Sequence, residues 1–240
     1  MRLFPGRQFV RVVLQVASTF IAAALLCVLA VGSVLAFPQP LFPYQIERGR
    51  LQLLSDRPFE PAAGERLLAE VQRRLAALPI KPGDETHRIV IAQTEWRRRL
   101  VFLLNGRAGG LNYFPLRNVF LREADIASDR LLRKSGPVPP PRTLAYYGAH
   151  EIGHSLIGER VGALANWRLP TWIREGVADY IGFGGKVDIA ALTEAMLAGN
   201  SALDPKKSGF YARYRLLVAW MLSQEGWSID HLLNSGLVIG

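Results

Sequence analysis

"TLAYYGAHEIGHSLIGERVG", residues 143–162, carries two histidines four apart, with a glutamate directly after the first. Leu144, Tyr147, Ile152, Leu156 and Ile157 supply an apolar set for burial, so the spacing predicts a helix beginning near Thr143. A helix advances about 100° per residue, which puts His150 and His154 one turn apart and about 40° from each other on one face. Their imidazoles can then reach a single cation at about 2.0 to 2.1 Å. Glu151 is displaced around the helix and need not ligate. Its carboxylate is left beside the open coordination position, where it can take a proton from water. At average composition this pattern arises by chance in about one chain in a hundred of this size, so it needs independent support.

A third protein donor is that support, because catalytic zinc commonly keeps three and leaves a fourth position for water. After a short connection, "ERVGALANWR", comes "LPTWIREGVADYIG". A helix from about Thr171 presents Glu175 and Asp179 at i and i+4, on one face. Glu175 follows His154 by 21 residues, enough for the chain to turn and lay a second helix beside the first. Its neighbours Trp172, Ile173, Val177, Ala178 and Tyr180 predict a largely buried helix, in which an unpaired carboxylate is expensive.

HEIGH followed by "WIREGVADY" resembles the gluzincins of the peptidase MA superfamily, thermolysin-like zinc peptidases in which a glutamate on the helix after HExxH completes the site. The resemblance is specific over about residues 143–182. It implies a zincin-like fold, Zn2+ held by His150, His154 and Glu175, and Glu151 as general base in the hydrolysis of peptide bonds. It also implies that Asp179 bonds the far nitrogen of His150 and fixes its tautomer. A tyrosine or histidine from a later helix commonly steadies the oxyanion in this family. That points to "FYARYRLLVAW", with Tyr211, Tyr214 and Arg215 as candidates. A strand before the motif helix, matched by "NVFLREA" (118–124), is expected to line the cleft and pair with an extended substrate. The metzincin pattern needs a histidine soon after the motif, and the remaining histidines are His87 and His231.

The start of the chain sets the compartment. Residues 12–37, "VVLQVASTFIAAALLCVLAVGSVLAF", hold no charge, and a hydrocarbon core of about 30 Å needs about 20 helical residues. Arg2, Arg7 and Arg11 precede this run without an acid among them, which predicts a cytoplasmic N-terminus and an extracytoplasmic remainder, periplasmic or cell-surface. A cleaved signal peptide shares the basic start, but its apolar region runs to about 7 to 15 residues, and "SVLAF" is a weak cleavage site. Cys27, the only cysteine, falls in this run, so the exported part has neither a disulfide nor a cysteine nucleophile. Without the three N-terminal arginines the formal charge of +9 becomes +6, which suits an anionic membrane surface or an acidic polymer such as a cell-wall glycan but is more often simply a solvated basic surface. No zinc-finger spacing or nucleic-acid motif is present, so DNA and RNA are not expected partners.

The rest divides into a mixed first half and a helical second half. "PQPLFPYQ" carries three prolines and predicts an extended stalk over 38–49. A strand is expected over 50–55. A helix follows, with Leu67, Leu68, Val71, Leu75 and Leu78 on one face, ended by Pro79. "RIVIAQ" (88–93) predicts a strand, "TEWRRRLVFLL" a helix capped by Thr94, "GRAGGLNYF" a plain turn, and "SGPVPPPR" (135–142) a stiff loop. A last helix is capped by Ser228 and packs through Ile229, Leu232 and Leu233, with His231 outside any metal site. The expected architecture is α+β. A basic tip and transmembrane anchor (1–37) and a stalk (38–49) lead into a zincin-like domain (50–240) with a small mixed sheet and a mainly helical C-terminal half. The function expected is that of a membrane-anchored zinc metallopeptidase acting on peptides or proteins. An inactive scaffold of the same fold and a zinc amidase acting on cell-wall peptides are the alternatives.

Overall fold

The computed structural model describes residues 6–76, 80, 84–103, 105–133, 135–204 and 211–236. The chain forms two units, residues 1–38 and 39–240. The first is the helix α1, Gly6–Ala36, whose segment Phe9–Ala36 is long and apolar enough to cross a membrane. At about 1.5 Å per residue, those 28 residues extend about 42 Å, more than a hydrocarbon core requires.

The second unit is α+β. Strands β1 (Tyr44–Arg48), β2 (Leu51–Ser55), β3 (His87–Ile91), β4 (Gly110–Asn112) and β5 (Asn118–Leu121) form one mixed sheet in the order β1-β2-β3-β5-β4. The central pairs β2/β3 and β3/β5 are parallel, with Leu53 opposite Ile89 and Ile89 opposite Val119. The outer strands β1 and β4 run antiparallel to their neighbours. Side chains alternate across a strand, so Leu51, Leu53, Ile89, Ile91, Val119 and Leu121 share one face and enter the main core. Leu54, Val90 and Phe120 point the other way and are fully buried as well, as expected of central strands covered on both faces. A three-stranded ladder of β6 (Ala124–Asp125), β7 (Arg130–Arg133) and β8 (Gly136–Pro137) leads into the helical half.

Helices α2 (Pro61–Leu75) and α4 (Leu144–Val161) pack together against the core face of the sheet, and the short α3 (Glu95–Val101) follows β3. After α4 come α5 (Ala163–Arg168), α6 (Thr171–Gly182), α7 (Ile189–Leu197), α8 (Ala212–Ser223) and α9 (Ile229–Asn234). Helix α6 lies between α4 and α8, packed on both.

Four local expectations need correction. Residues 44–48, read as the end of a stalk, form edge strand β1, and Phe42 within the same proline-rich stretch is fully buried. "ERVGALANWR", read as a plain connection, contains α5. Thr94 stands at the N-cap position of α3 without capping it, because its hydroxyl donates to the Asp56 carboxylate, which also accepts from the Gln93 and Thr94 amides at 2.7 and 2.9 Å. The glycine-rich stretch read as a turn contains β4, held by pairing Gly110 with Leu121 and Asn112 with Val119. Leu78 and Pro79, expected at the end of α2, lie outside the described residues. Ser228 does cap α9, accepting from the His231 amide at 3.1 Å, and Ile229, Leu232 and Leu233 are buried.

Candidate metal centre

Helix α4 is buried on nearly every side, as a helix central to its domain must be. Its start is well anchored. Thr143 accepts from the Tyr146 amide at 3.2 Å, and Asp129, held at φ 55°, accepts the Ala145 amide on its carboxylate at 2.7 Å. Asp129 thereby satisfies a helix amide that has no partner within the helix. Gly162, at φ 82°, ends the helix, and Pro170 precedes the first residue of α6.

Two glycines set the distances between helices. A Cβ on Gly153 would stand 2.8 Å from Ile181 Cδ1 and 3.3 Å from Ala178 Cα, so the missing side chain lets α6 approach α4. A Cβ on Gly176 would stand 2.7 Å from the Tyr214 carbonyl oxygen, and α8 approaches α6 there in the same way. Glu175 thus comes level with the two histidines, its Oε2 3.7 Å from His150 Nε2 and 3.6 Å from His154 Nε2. Donor atoms at about 2.0 to 2.1 Å from a tetrahedral ion lie about 3.4 Å apart. All three donors fall within 4.8 Å of one another, and the group can hold a metal ion.

Asp179 is fully buried one turn beyond Glu175, but it does not take the direct bond to His150 that the resemblance implies. The Tyr146 hydroxyl stands between them, donating to Asp179 Oδ1 and lying 3.5 Å from His150 Nδ1. With its proton given to the carboxylate, that oxygen can accept from Nδ1–H, the tautomer in which Nε2 is free to ligate a metal. The Arg215 guanidinium closes the other side, donating to Asp179 Oδ2 at 2.6 Å. Arg215 therefore belongs to the buried support and is not among the residues lining the cavity over the site.

The cavity over these residues has a volume of about 500 Å³. Glu151 enters it from α4, packed against Gly110, where a Cβ would fall 2.7 Å from the Glu151 carboxylate. Burial raises the Glu151 pKa from 4.5 to about 7 in the absence of a metal, against the opposing pull of His150. Burial lowers His154 to about 4, so its imidazole is neutral and able to ligate at ordinary pH. Burial alone would raise Glu175, but the contact with His150, then the charges of His154, His150 and Arg174, hold it at about 2. His150 lies above the ordinary histidine value, since Glu175 and the Glu151 and Asp179 charges outweigh the effect of burial.

Of the tyrosines proposed from sequence, Tyr211 lines the cavity and stacks on His150, with ring centroids 6.2 Å apart. Burial, then the Glu175 charge, pushes its pKa up to about 12, so it keeps its proton and can donate. Tyr214 stacks on Tyr211 and packs against the core without lining the cavity. The strand expected to line the cleft is also reassigned. β5 has β3 on one side and β4 on the other, so its backbone is already paired. Strand β4 is at the edge of the sheet, and Gly110, Leu111 and Asn112 line the cavity. Asn112 ties this edge to α4 by donating to Ser155 Oγ at 2.6 Å.

No protein-family model matches this chain, and no curated protein matches it by sequence.

Proposed function

We propose that this protein is a membrane-anchored, zinc-dependent metallopeptidase of the gluzincin type, with its site outside the cytoplasm. One observation carries the reading: Glu151 is buried in the same cavity as the three-donor group but is not one of the donors. A site built only to hold a metal has no use for a second, unligated carboxylate there, whereas hydrolysis needs a base. Two imidazole nitrogens and one carboxylate oxygen suit zinc and leave a position open for catalysis. The ion, when bound, supplies a water acidified towards about 7 and a polarised carbonyl.

The chain's own groups supply the rest. Glu151 takes a proton from the attacking water and delivers it to the leaving amide nitrogen. The Tyr211 hydroxyl is the donor on hand for the oxygen that becomes negative during attack. Tyr146, held by Asp179, fixes which nitrogen of His150 faces the metal. The outer edge of β4, which lines the cavity, offers backbone groups to an extended substrate entering beside Glu151. Helix α1 would hold this site at a membrane surface, and Arg2, Arg7 and Arg11, ahead of the uncharged run 12–37, favour an N-terminus in the cytoplasm.

The test is metal content and peptide hydrolysis by the purified full-length protein in detergent, beside the Glu151→Gln variant. One zinc per chain with hydrolysis lost in the variant is expected. A protein that binds zinc and cleaves no peptide is a scaffold, and one that cleaves only cell-wall peptides is an amidase. Added protease should reach the C-terminal unit in cells whose outer layer has been opened, and protection behind an intact inner membrane would overturn the orientation.

A further inference from the structure

The cavity wall carries more positive charge than catalysis requires. Arg107, Arg133, Arg142 and Arg174 all line it, drawn from four separate segments, while the only acidic lining residues among those described are Glu151 and Glu175. The two carboxylates are committed, one beside the metal position and one to it. Arg174 lies 3.6 Å from Glu175 through its Nε, and Arg142 sits over the Tyr146 ring and 3.9 Å from Asp179. Arg107 and Arg133 are exposed at the rim, and neither pairs with an acidic side chain among the described residues. A bound divalent ion would add two further positive charges to the same cavity. The buried Tyr147 hydroxyl, on the same wall, has no hydrogen-bond partner among the described residues and is a donor in reserve.

A concave site lined by one sign of charge focuses its field and concentrates ligands of the opposite sign. Guanidinium groups also fit carboxylates geometrically, through paired N–H donors. We propose that the cleft selects acidic peptide segments, with aspartate or glutamate side chains flanking the bond at the metal position and received by Arg107 and Arg133 at the rim, while Arg142 and Arg174 add to the positive field deeper in. This rests on the peptidase reading and adds the substrate class to it. Neutral and basic peptides enter against the field and bind more weakly.

The test uses two fluorogenic peptides that differ only in carrying glutamates or glutamines on both sides of the scissile bond. Full-length, zinc-loaded protein in detergent is assayed with each, at about 0.05 M and about 0.5 M salt, where screening lengths differ about threefold. The glutamate peptide is expected to show a kcat/KM at least tenfold higher at low salt. That ratio should shrink at high salt and in an Arg107→Glu, Arg133→Glu double variant, whose folding is checked by its thermal midpoint. Equal kcat/KM for the two peptides, or a ratio that the double variant leaves unchanged, overturns the proposal while the peptidase reading stands. The Glu151→Gln variant separates the two claims, since binding of the labelled peptides is followed by fluorescence anisotropy without turnover. If no peptide is cleaved but the glutamate peptide binds more tightly than the glutamine one, the acidic ligand stands and the peptidase reading fails. If neither cleavage nor a binding difference is seen, both fail.

Discussion

Replacing Glu151 with glutamine tests the site through three separate readouts. Glutamine keeps the shape and removes the titration. Glu151 moves from 4.5 to about 7 on burial, and each pKa unit corresponds to about 1.4 kcal/mol, so ionising it in the metal-free fold costs about 3 kcal/mol. Below about pH 4.5 the group is protonated in both the folded and unfolded chains, and nothing is lost. Between about 4.5 and 7 the folded chain keeps a proton that the unfolded chain has released, so stability falls as pH rises, and above 7 the loss is complete. His154 has the opposite slope over part of this range, since its pKa is lowered, but it is present in both proteins and cancels from the difference. Metal-free Glu151→Gln should therefore gain on the parent by up to about 3 kcal/mol between pH 4.5 and 7.5, roughly 6 to 12 °C for a domain of this size. Thermal unfolding followed by tryptophan fluorescence measures it, with the buried Trp172 on α6 as a nearby reporter. Zinc should still bind at one per chain, and hydrolysis should fall at least about a hundredfold. A stability gap flat with pH would show that the carboxyl is not buried as described, and loss of zinc would make Glu151 a ligand and not a base.

Tyr146→Phe removes the hydroxyl between Asp179 and His150 and leaves a buried carboxylate short of one donor. Stability should fall by about 1 to 3 kcal/mol and zinc affinity by about 10 to 100-fold, measured by competition with a chelator; unchanged zinc affinity would show that His150 is oriented without it. Gly176→Ala sets a methyl group 2.7 Å from the Tyr214 carbonyl, a backbone atom that cannot rotate away. Overpacking of about 1 to 3 kcal/mol should exceed the roughly 1 kcal/mol that alanine gains over glycine in a helix, and moving α8 should carry Tyr211 off His150, so kcat drops while zinc is retained. A variant as stable and active as the parent would show that α8 is free to shift without consequence.

The parts of the site that were legible in the sequence are those whose spacing is local. His150 and His154 share a face by helix geometry alone. Glu175 stood out because a carboxylate among Trp172, Ile173 and Val177 demanded a partner. Tyr146 was missed because a tyrosine in an apolar helix ordinarily signals packing, and its bond is to Asp179, 33 residues away. Thr94 failed as a cap for a related reason: the competing Asp56 lies 38 residues earlier. Strand β4 escaped notice because three residues beginning with glycine carry no periodic signal, and only pairing with β5 makes them extended. The arginines of the cavity come from segments far apart in the chain and converge only on folding.

One signal for the missing distances was nonetheless present. Gly153 lies inside HEIGH and Gly176 directly follows Glu175, each at an interior helix position where glycine costs about 1 kcal/mol relative to alanine. Such a cost in a helix interior suggests that another backbone lies where a side chain would be. Gly153 therefore points to a helix packed closely on α4, and Gly176 to one packed closely on α6. These are the two contacts that bring Glu175 level with the histidines and Tyr211 over His150. The residues able to hold the ion and the glycines that fix their separation are thus interleaved in the same two helices. The geometry of the site depends on the glycines as directly as on the donors.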